Sequence, residues 1–200
     1  MNMLSRIHMK KIIVLLVLLS GMCSAEETSQ RPAQWATKVD ISGVQNLYKI
    51  TDNLYRSRQP SEAGFRELKK QLGIKTVINL RAFHSDKGKA GSQGLLNEEL
   101  SVKTWHIEDE DVVKVLSILR KRENGPFLIH CQHGADRTGV MSAMYRIVEQ
   151  GWTKDEAISE MVNGGYGFHA MWSNIIQYIK QADVNKIKNA VNKIAPPRES

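Results

Sequence analysis

The sequence predicts an α/β domain in which helices flank a central, mainly parallel sheet and a phosphate-binding loop joins one strand to one helix. Short apolar runs, of which residues 126–129 are one, stand between polar turns and have the length of buried strands. Segments of helical periodicity follow several of these runs, as in α/β domains. The third observation is a loop of unusual composition, residues 130–139, placed between such a strand and such a helix.

That loop reads His-Cys-Gln-His-Gly-Ala-Asp-Arg-Thr-Gly, and the apolar segment 140–148 after it predicts a buried helix. At a helix N-terminus the backbone N–H groups are unpaired and the helix dipole is positive, so a phosphate fits there. Cys131 opens the loop and Arg137 closes it, and a guanidinium can bind two phosphate oxygens at once. The same positive surroundings favour the thiolate of Cys131, which is its nucleophilic form.

This pattern resembles the signature of the cysteine-dependent protein tyrosine and dual-specificity phosphatases: His-Cys, five residues, Arg, then Ser or Thr. The resemblance implies that Cys131 attacks phosphorus to form a phosphocysteine, which water then hydrolyses while the Thr138 hydroxyl helps the thiolate to leave. The residues then expected to contact the phosphate are Gln132, His133, Gly134, Ala135, Asp136 and Arg137. For His133, a hydrogen-bonded structural role is equally compatible with the sequence.

Residues 1–25 predict a secretory signal, with three basic residues, an apolar run at 12–19 and small residues before Glu26. The apolar run is too short for a membrane span, which needs about 20 residues. The alternative is a lipoprotein anchored on Cys23, but Met22 before it is larger than lipoprotein signals usually carry. We therefore expect a periplasmic or secreted protein without a membrane span after cleavage.

Cleavage after Ala25 would leave 25 basic and 21 acidic residues, a net charge of +4 instead of +7. This modest excess suits anionic substrates and does not indicate nucleic-acid binding. Cys131 would then be the only cysteine, so no disulfide can form within the chain, and a lone thiol in an oxidising compartment is best explained by chemistry.

Before the loop, residues 26–44 predict a linker. Residues 46–50 and 53–57 predict a strand pair, and a helix is expected between an N-cap at Ser61 and Gly73. Residues 75–80 predict a buried strand, 82–93 a surface loop, 95–100 a short helix and 102–107 another strand. The order of these elements resembles bacterial and plant-fungal dual-specificity phosphatases and extends the likeness over residues 45–182. Arg56 and Arg81 are candidates for binding a second anionic group, or are solvated or salt-bridged arginines.

Four acidic residues, 108–111, open a helix that runs through Leu119. Acidic residues at a helix start complement its dipole. In the resembled family, however, a general acid, usually Asp, follows the strand that precedes the cysteine strand. Asp109 is the first choice for this acid, Glu108 the second and Asp111 the third. A nearby phosphate would favour the protonated form that such an acid requires.

After the loop helix, a capping box at Thr153 and Glu156 starts a further helix, and residues 168–179 predict the last packed one. Residues 183–200 predict a basic, frayed tail. The six histidines show no metal-ligand spacing, and no cofactor is expected.

The function predicted is therefore hydrolysis of phosphotyrosine, with phosphoserine or phosphothreonine as further substrates, in phosphorylated proteins. One alternative is an inositol phosphate or phosphoinositide phosphatase, although such enzymes often carry Lys in the loop and this loop has none. Another is a module that binds phosphorylated ligands without hydrolysis, which would require that the acid be missing. Sulfur transfer of the rhodanese type is a fourth reading, but its loop usually differs in length and lacks this frame.

Overall fold

The computed structural model describes residues 31–197, so the predicted signal peptide lies outside the described residues. Within them, a six-stranded sheet has the order β1-β2-β3-β6-β4-β5. The strands are β1 (Thr37–Lys38), β2 (Tyr48–Thr51), β3 (Leu54–Arg58), β4 (Thr76–Asn79), β5 (Leu96–Glu99) and β6 (Phe127–Cys131). β3, β6, β4 and β5 are parallel, whereas β1 and β2 join antiparallel at one edge.

Helices cover both faces of this sheet, as the sequence predicts. The helices are α1 (Glu62–Leu72), α2 (Lys87–Gly91), α3 (Asp109–Leu119), α4 (Asp136–Gln150), α5 (Lys154–Asn163), α6 (Ser173–Gln181) and α7 (Val184–Ile194). α1 and α2 pack with Val77 and Leu128 on one face. The other five pack with Ile78 and Ile129 on the opposite face. Neighbouring residues of β4 and β6 thus point to opposite faces, and both faces are buried, as in the interior of a parallel sheet.

The parallel strands end at one edge of the sheet, and this edge carries the candidate site. Arg58 at the end of β3 is in register with Cys131 at the end of β6, and Asn79 at the end of β4 is in register with His130. In open α/β sheets, ligands bind at the carboxyl ends of the strands. Loops that follow β3, β4, β5 and β6 therefore meet around Cys131.

The first helix and the hairpin before it confirm the local predictions. β2 and β3 pair through the expected turn, with Thr51 opposite Leu54. The Ser61 side chain accepts a hydrogen bond from the Gly64 N–H, and Gly73 ends α1 at φ +65°. A residue without a Cβ adopts that left-handed conformation at little cost.

Two predicted elements between β4 and α3 are wrong. Residues 95–100 form no helix, because residues 96–99 pair with β4 as the parallel strand β5. Residues 102–107 form no strand; Lys103 and His106 make a single bridge across a turn. Val102 is fully buried all the same, so its apolar character reflects packing of a loop rather than a strand.

The predicted linker is also wrong for its later part, because residues 36–44 pack onto the domain. The Ala36 N–H donates to Glu160 Oε1 at 2.6 Å, and Glu160 is paired with buried Arg146 at 2.8 Å. Ile41 and Val44 lie in the core beside α1. The partners of this segment are distant in the sequence, on α1 and, for Ala36, 124 positions away at Glu160.

The predicted frayed tail is wrong as well. Residues 184–194 form α7, in which Ile187 and Val191 are buried against α3 and α4. Asp183 caps α7 by accepting a hydrogen bond from the Lys186 N–H. The helix before it begins at Ser173 rather than at 168. No helix within residues 31–197 has both the length and the apolar character needed to cross a membrane.

Candidate active site

Cys131 lies at the end of β6 at the bottom of a tight loop, and α4 begins five residues later at Asp136. The cysteine is 2% exposed. Gly134 adopts φ +70°, and a Cβ there would lie 2.5 Å from the backbone of Ser57 and Arg58. Only glycine fits this close approach of the loop to the end of β3. The predicted strand, loop and helix are therefore confirmed.

Arg137 stands in the first turn of α4 and is half-buried. Its Nη1 lies 3.5 Å from the carbonyl oxygen of Leu80, at the end of β4. The guanidinium thus lies at the sheet edge where the loop closes, with most of its N–H donors available to an anion. Ala135 is buried beside it, and Gln132 is half-buried.

Thr138 is fully buried one residue further along α4. Its hydroxyl has no hydrogen-bond partner among the residues that the structure describes. A buried hydroxyl is usually paired, so an unpaired one next to the loop is a donor available for the chemistry. This agrees with the role that the family resemblance implies.

Arg56 holds the loop from below and is fully buried on β3. Its Nη2 donates to the Gly134 carbonyl oxygen at 2.7 Å, and its guanidinium lies 3.7 Å from the centre of the Tyr166 ring. Burial lowers the pKa of Arg56, while the charges of Tyr166, Glu160 and Cys131 act in the opposite direction. Arg56 therefore supports the loop backbone from inside the protein. The sequence suggests instead that Arg56 binds a second anionic group or is a solvated or salt-bridged arginine, and neither role fits this buried position.

A second support for the loop is a series of hydrogen-bonded polar side chains that starts at His130, the residue before Cys131. His130 Nε2 lies 3.0 Å from Oδ2 of Asp86, and both side chains are buried. Asp86 Oδ1 accepts from Gln59 Nε2 at 2.9 Å, and Gln59 Oε1 accepts from Arg81 at 2.7 Å. Burial raises the pKa of Asp86, but its hydrogen bonds to His130 and Gln59 and the charges of His130 and Arg81 together lower it. Asp86 is thus held as a carboxylate.

Sequence reasoning missed Asp86 and Gln59, since neither lies in a recognisable motif. Arg81, by contrast, is a candidate from the sequence and does face the site. The pKa of Arg81 lies below its usual value, chiefly because burial disfavours the charged form and also because Arg137 carries a like charge. The charges of Asp86 and Cys131 act in the opposite direction. Arg81 therefore adds a second positive charge to the region where a phosphate would lie.

The fold also brings together two histidines that are 36 residues apart. The rings of His133 and His169 are 5.4 Å apart between centres. Asp136 accepts from the His169 backbone N–H at 2.9 Å, and its Oδ2 lies 2.9 Å from His169 Nδ1. The sequence, in which the histidines show no metal-ligand spacing, gives no sign of this pair.

Asp109, the first choice for the general acid, is turned toward the last two helices. Its Oδ1 accepts from the Tyr178 hydroxyl at 3.0 Å, and its Oδ2 pairs with Lys186 Nζ at 2.8 Å. Burial and the charge of Asp109 both raise the pKa of Tyr178, which keeps that hydroxyl a donor. Both carboxyl oxygens of Asp109 are therefore engaged by α6 and α7, whereas a general acid must reach the leaving oxygen of the substrate.

The other two candidates differ from Asp109 in their surroundings. Glu108 precedes α3, is about half exposed and lies 3.1 Å from His106 Nε2. Asp111 is half-buried, and burial together with Glu108 and Glu110 raises its pKa. The role of each acid stays a prediction. Because both oxygens of Asp109 are engaged, Glu108, the second choice from the sequence, is the next acid to replace, and Asp111 is the third.

We expect Glu108→Gln to lower turnover of an alkyl phosphate by roughly 10²–10⁴-fold, the usual contribution of a general acid. Asp109→Asn should lower turnover less than about tenfold and should lower the melting temperature only slightly, since the pair that it weakens with Lys186 is largely exposed. Steady-state kinetics on alkyl and nitrophenyl phosphates, with thermal melts, separate the two effects. Lys186→Met is the matched control, because it breaks the same pair without removing a carboxyl. A large loss of turnover in Asp109→Asn alone would restore Asp109 as the acid.

A family model described as "DSP-PTPase phosphatase fused to NAD+ Kinase" matches residues 33–176. Among curated proteins, the dual specificity protein phosphatase TpbA of Pseudomonas aeruginosa strain PAO1 is 38% identical over 179 residues, which cover 87% of this chain and 79% of TpbA. TpbA of strain UCBPP-PA14 is 37% identical over 176 residues.

This chain is also similar to solved structures of phosphatases. The crystal structure of P. aeruginosa TpbA superposes with a TM-score of 0.72 at 36% identity, covering 80% of this chain and 98% of that one. A cysteine-to-serine variant of TpbA in complex with pTyr gives 0.72 at 35% identity, with the same coverage. The catalytic core of the PP-IP phosphatase SIW14 from S. cerevisiae gives 0.65 at 23% identity, covering 77% and 95%. At that identity the likeness concerns the fold alone.

Proposed function

Since the chain belongs to the DSP-PTPase family and is a cysteine-dependent phosphatase, we propose that it removes phosphate from phosphotyrosine in protein substrates. The observation that carries the proposal is the position of Cys131. Its sulfur lies at the end of β6, on the floor of a loop closed by Arg137 at the start of α4. A phosphate held by the loop N–H groups would present its phosphorus to that sulfur.

The chemistry then proceeds in two displacements. The Cys131 thiolate attacks phosphorus, the bond from phosphorus to the tyrosine oxygen breaks, and a carboxylic acid protonates the leaving oxygen. Water next attacks the phosphocysteine, and the sulfur leaves as thiolate, stabilised by the Thr138 hydroxyl. Arg137 and the loop amides bind the equatorial phosphate oxygens in both steps and stabilise the charge there.

Phosphotyrosine is favoured over compact polyanions by apolar side chains on loops near the site. Phe83 follows β4, is 95% exposed and adopts φ +62°, a conformation that bulky residues rarely take. Trp105 follows β5 and is 64% exposed. Both loops leave the same edge of the sheet as Cys131, so an aryl ring would find apolar contacts there. TpbA, the relative at 38% identity, has a structure with pTyr bound.

Assays of the purified protein on a phosphotyrosine peptide, a phosphothreonine peptide and an inositol polyphosphate test the substrate class. We expect kcat/KM to be highest for phosphotyrosine. Phe83→Ala should raise KM for that peptide by roughly 2–10-fold with kcat unchanged, the usual size of one aromatic contact. Ile194→Ala, another exposed apolar residue, serves as the control. A clear preference for the inositol polyphosphate, insensitive to Phe83→Ala, would contradict the proposal.

We also propose that the protein works outside the cytoplasm, as its first 25 residues suggest. The support is the basic, apolar and small-residue pattern before Glu26. Mass spectrometry of the protein exported by a Gram-negative host should give Glu26 as the first residue. A lipidated Cys23 would instead establish a lipoprotein, and an intact N-terminus would contradict export.

A further inference from the structure

A group of three side chains at the edge of the phosphate-binding loop is not used by the reaction described above. His133 lies within the loop, Asp136 begins α4, and His169 lies between α5 and α6. One nitrogen or oxygen atom from each lies within 4.8 Å of the others. We propose that these three residues bind a divalent transition-metal ion, with Zn²⁺ as the best fit, and that the ion inhibits the phosphatase.

Two of the three ligands are already in place. Asp136 Oδ2 and Oδ1 lie 2.9 and 3.1 Å from His169 Nδ1. Tetrahedral Zn²⁺ with ligand bonds of about 2.0–2.1 Å needs ligand atoms about 3.3 Å apart. The spacing of this pair is therefore close to what the ion needs, and the His169 backbone N–H fixes the carboxylate by a further hydrogen bond of 2.9 Å.

The third ligand needs only a small movement. His133 is exposed, and its ring is inclined at 60° to that of His169. Rotation of an exposed side chain can shorten the remaining distance without disturbing the core. The loop backbone beneath it is held, because Asn46 Nδ2 donates to the His133 carbonyl oxygen at 2.9 Å.

The set of donors selects the class of ion. Two imidazoles and one carboxylate suit Zn²⁺ and its neighbours, whereas Mg²⁺ and Ca²⁺ prefer oxygen ligands throughout. The Asp136 carboxylate also offsets the positive end of α4, which would otherwise oppose a cation. A purely structural role for Asp136 explains its bonds to His169 but not why the exposed imidazole of His133 lies beside them.

Inhibition follows from the position of His133 between Cys131 and Arg137, and this part of the inference rests on the proposed function. An ion on His133 would stand at the entrance to the loop and keep the imidazole away from a bound phosphate. With three protein ligands, the ion keeps one open position. A phosphate oxygen of the substrate would bind there instead of reaching the loop amides in reacting geometry.

Binding is measured with Zn²⁺ alone, titrated calorimetrically into the full chain carrying Cys23→Ser and Cys131→Ser, so that no thiolate can act as a ligand. We expect one ion per chain. Adding His133→Ala or His169→Ala should weaken binding by more than about 100-fold, since loss of even an outer partner costs about 10–100-fold. His106→Ala, which removes an exposed histidine outside the group, should leave the affinity unchanged.

Co²⁺ in place of Zn²⁺ provides a spectroscopic measurement, with visible bands that disappear in both variants. In the protein with Cys131 intact, Zn²⁺ should inhibit reversibly, and His169→Ala should need more than about 10-fold more Zn²⁺. Absence of saturable binding, or binding unchanged by both substitutions, would overturn the metal site. Binding without inhibition would overturn only the inhibitory role, and a chain that binds Zn²⁺ but hydrolyses no phosphate ester would contradict the proposed function instead.

Discussion

Replacement of Cys131 by serine is expected to abolish turnover while phosphate binding persists. The serine hydroxyl is a far weaker nucleophile than a thiolate, and loss of a nucleophile costs roughly 10⁴-fold or more. The groups that bind the phosphate, namely the loop N–H groups and Arg137, are left in place. The burial of Cys131 at the end of β6 leaves room for an oxygen, which is smaller than sulfur, so the fold should be unaffected.

Two measurements test this expectation: the rate of hydrolysis of a phosphotyrosine peptide, and calorimetric binding of inorganic phosphate to the same protein. Cys23→Ser in the full-length chain, which retains both cysteines, is the matched control, and it should leave both values unchanged. Hydrolysis by Cys131→Ser within about 100-fold of the original rate would exclude Cys131 as the nucleophile. Loss of phosphate binding would show instead that the loop had collapsed.

Replacement of Arg137 by lysine should cause the second largest loss, although the charge is conserved. Lysine is a point charge and cannot bind two oxygens in the plane that the guanidinium defines. Removing one preorganised donor of this kind typically lowers kcat by about 10²–10³-fold. Because the contact strengthens as charge moves onto the equatorial oxygens, kcat should fall more than KM rises.

The matched control for this variant is Arg66→Lys, which makes the same change at an exposed position of α1. Thermal melts should show that both variants are folded, since among residues 31–197 the hydrogen bond of the Arg137 side chain is a long one, to the Leu80 carbonyl oxygen. A kcat of Arg137→Lys within threefold of the original would mean that the guanidinium does not hold the reacting phosphate. Arg81, whose charge also faces Cys131, would then be the next residue to replace.

The sequence alone determined the elements whose cause is local. The strand, loop and helix around Cys131 follow from an apolar run, a loop with Gly134 and a second apolar run, and the structure confirms all three. The hairpin of β2 and β3 and the ends of α1 are confirmed for the same reason. Turn residues, caps and hydrophobic periodicity act over a few residues and can therefore be recognised in any context.

Where the sequence carries no clear pattern for a helix or strand, the structure of a segment depends on the distant segments that it packs against. Residues 96–99, Leu-Asn-Glu-Glu, favour a helix by composition, but β4 offers an unpaired edge and they bind it as β5. The segment after residue 183 is basic, yet Ile187 and Val191 pack on an apolar surface of α3 and α4. Both outcomes depend on surfaces that exist only once the sheet and its helices have formed.

The supports of the active site were likewise decided by the tertiary structure. Arg56 lies 78 positions before Gly134 and holds its carbonyl oxygen, and Asp86 lies 44 positions before His130. The fold also turned Asp109 toward Lys186 and placed His169 beside Asp136. The sequence therefore determined the nucleophile and its loop, because their pattern is contiguous. Their supports, the surroundings of the candidate acids and the histidine pair were decided by contacts between distant segments, which no local pattern encodes.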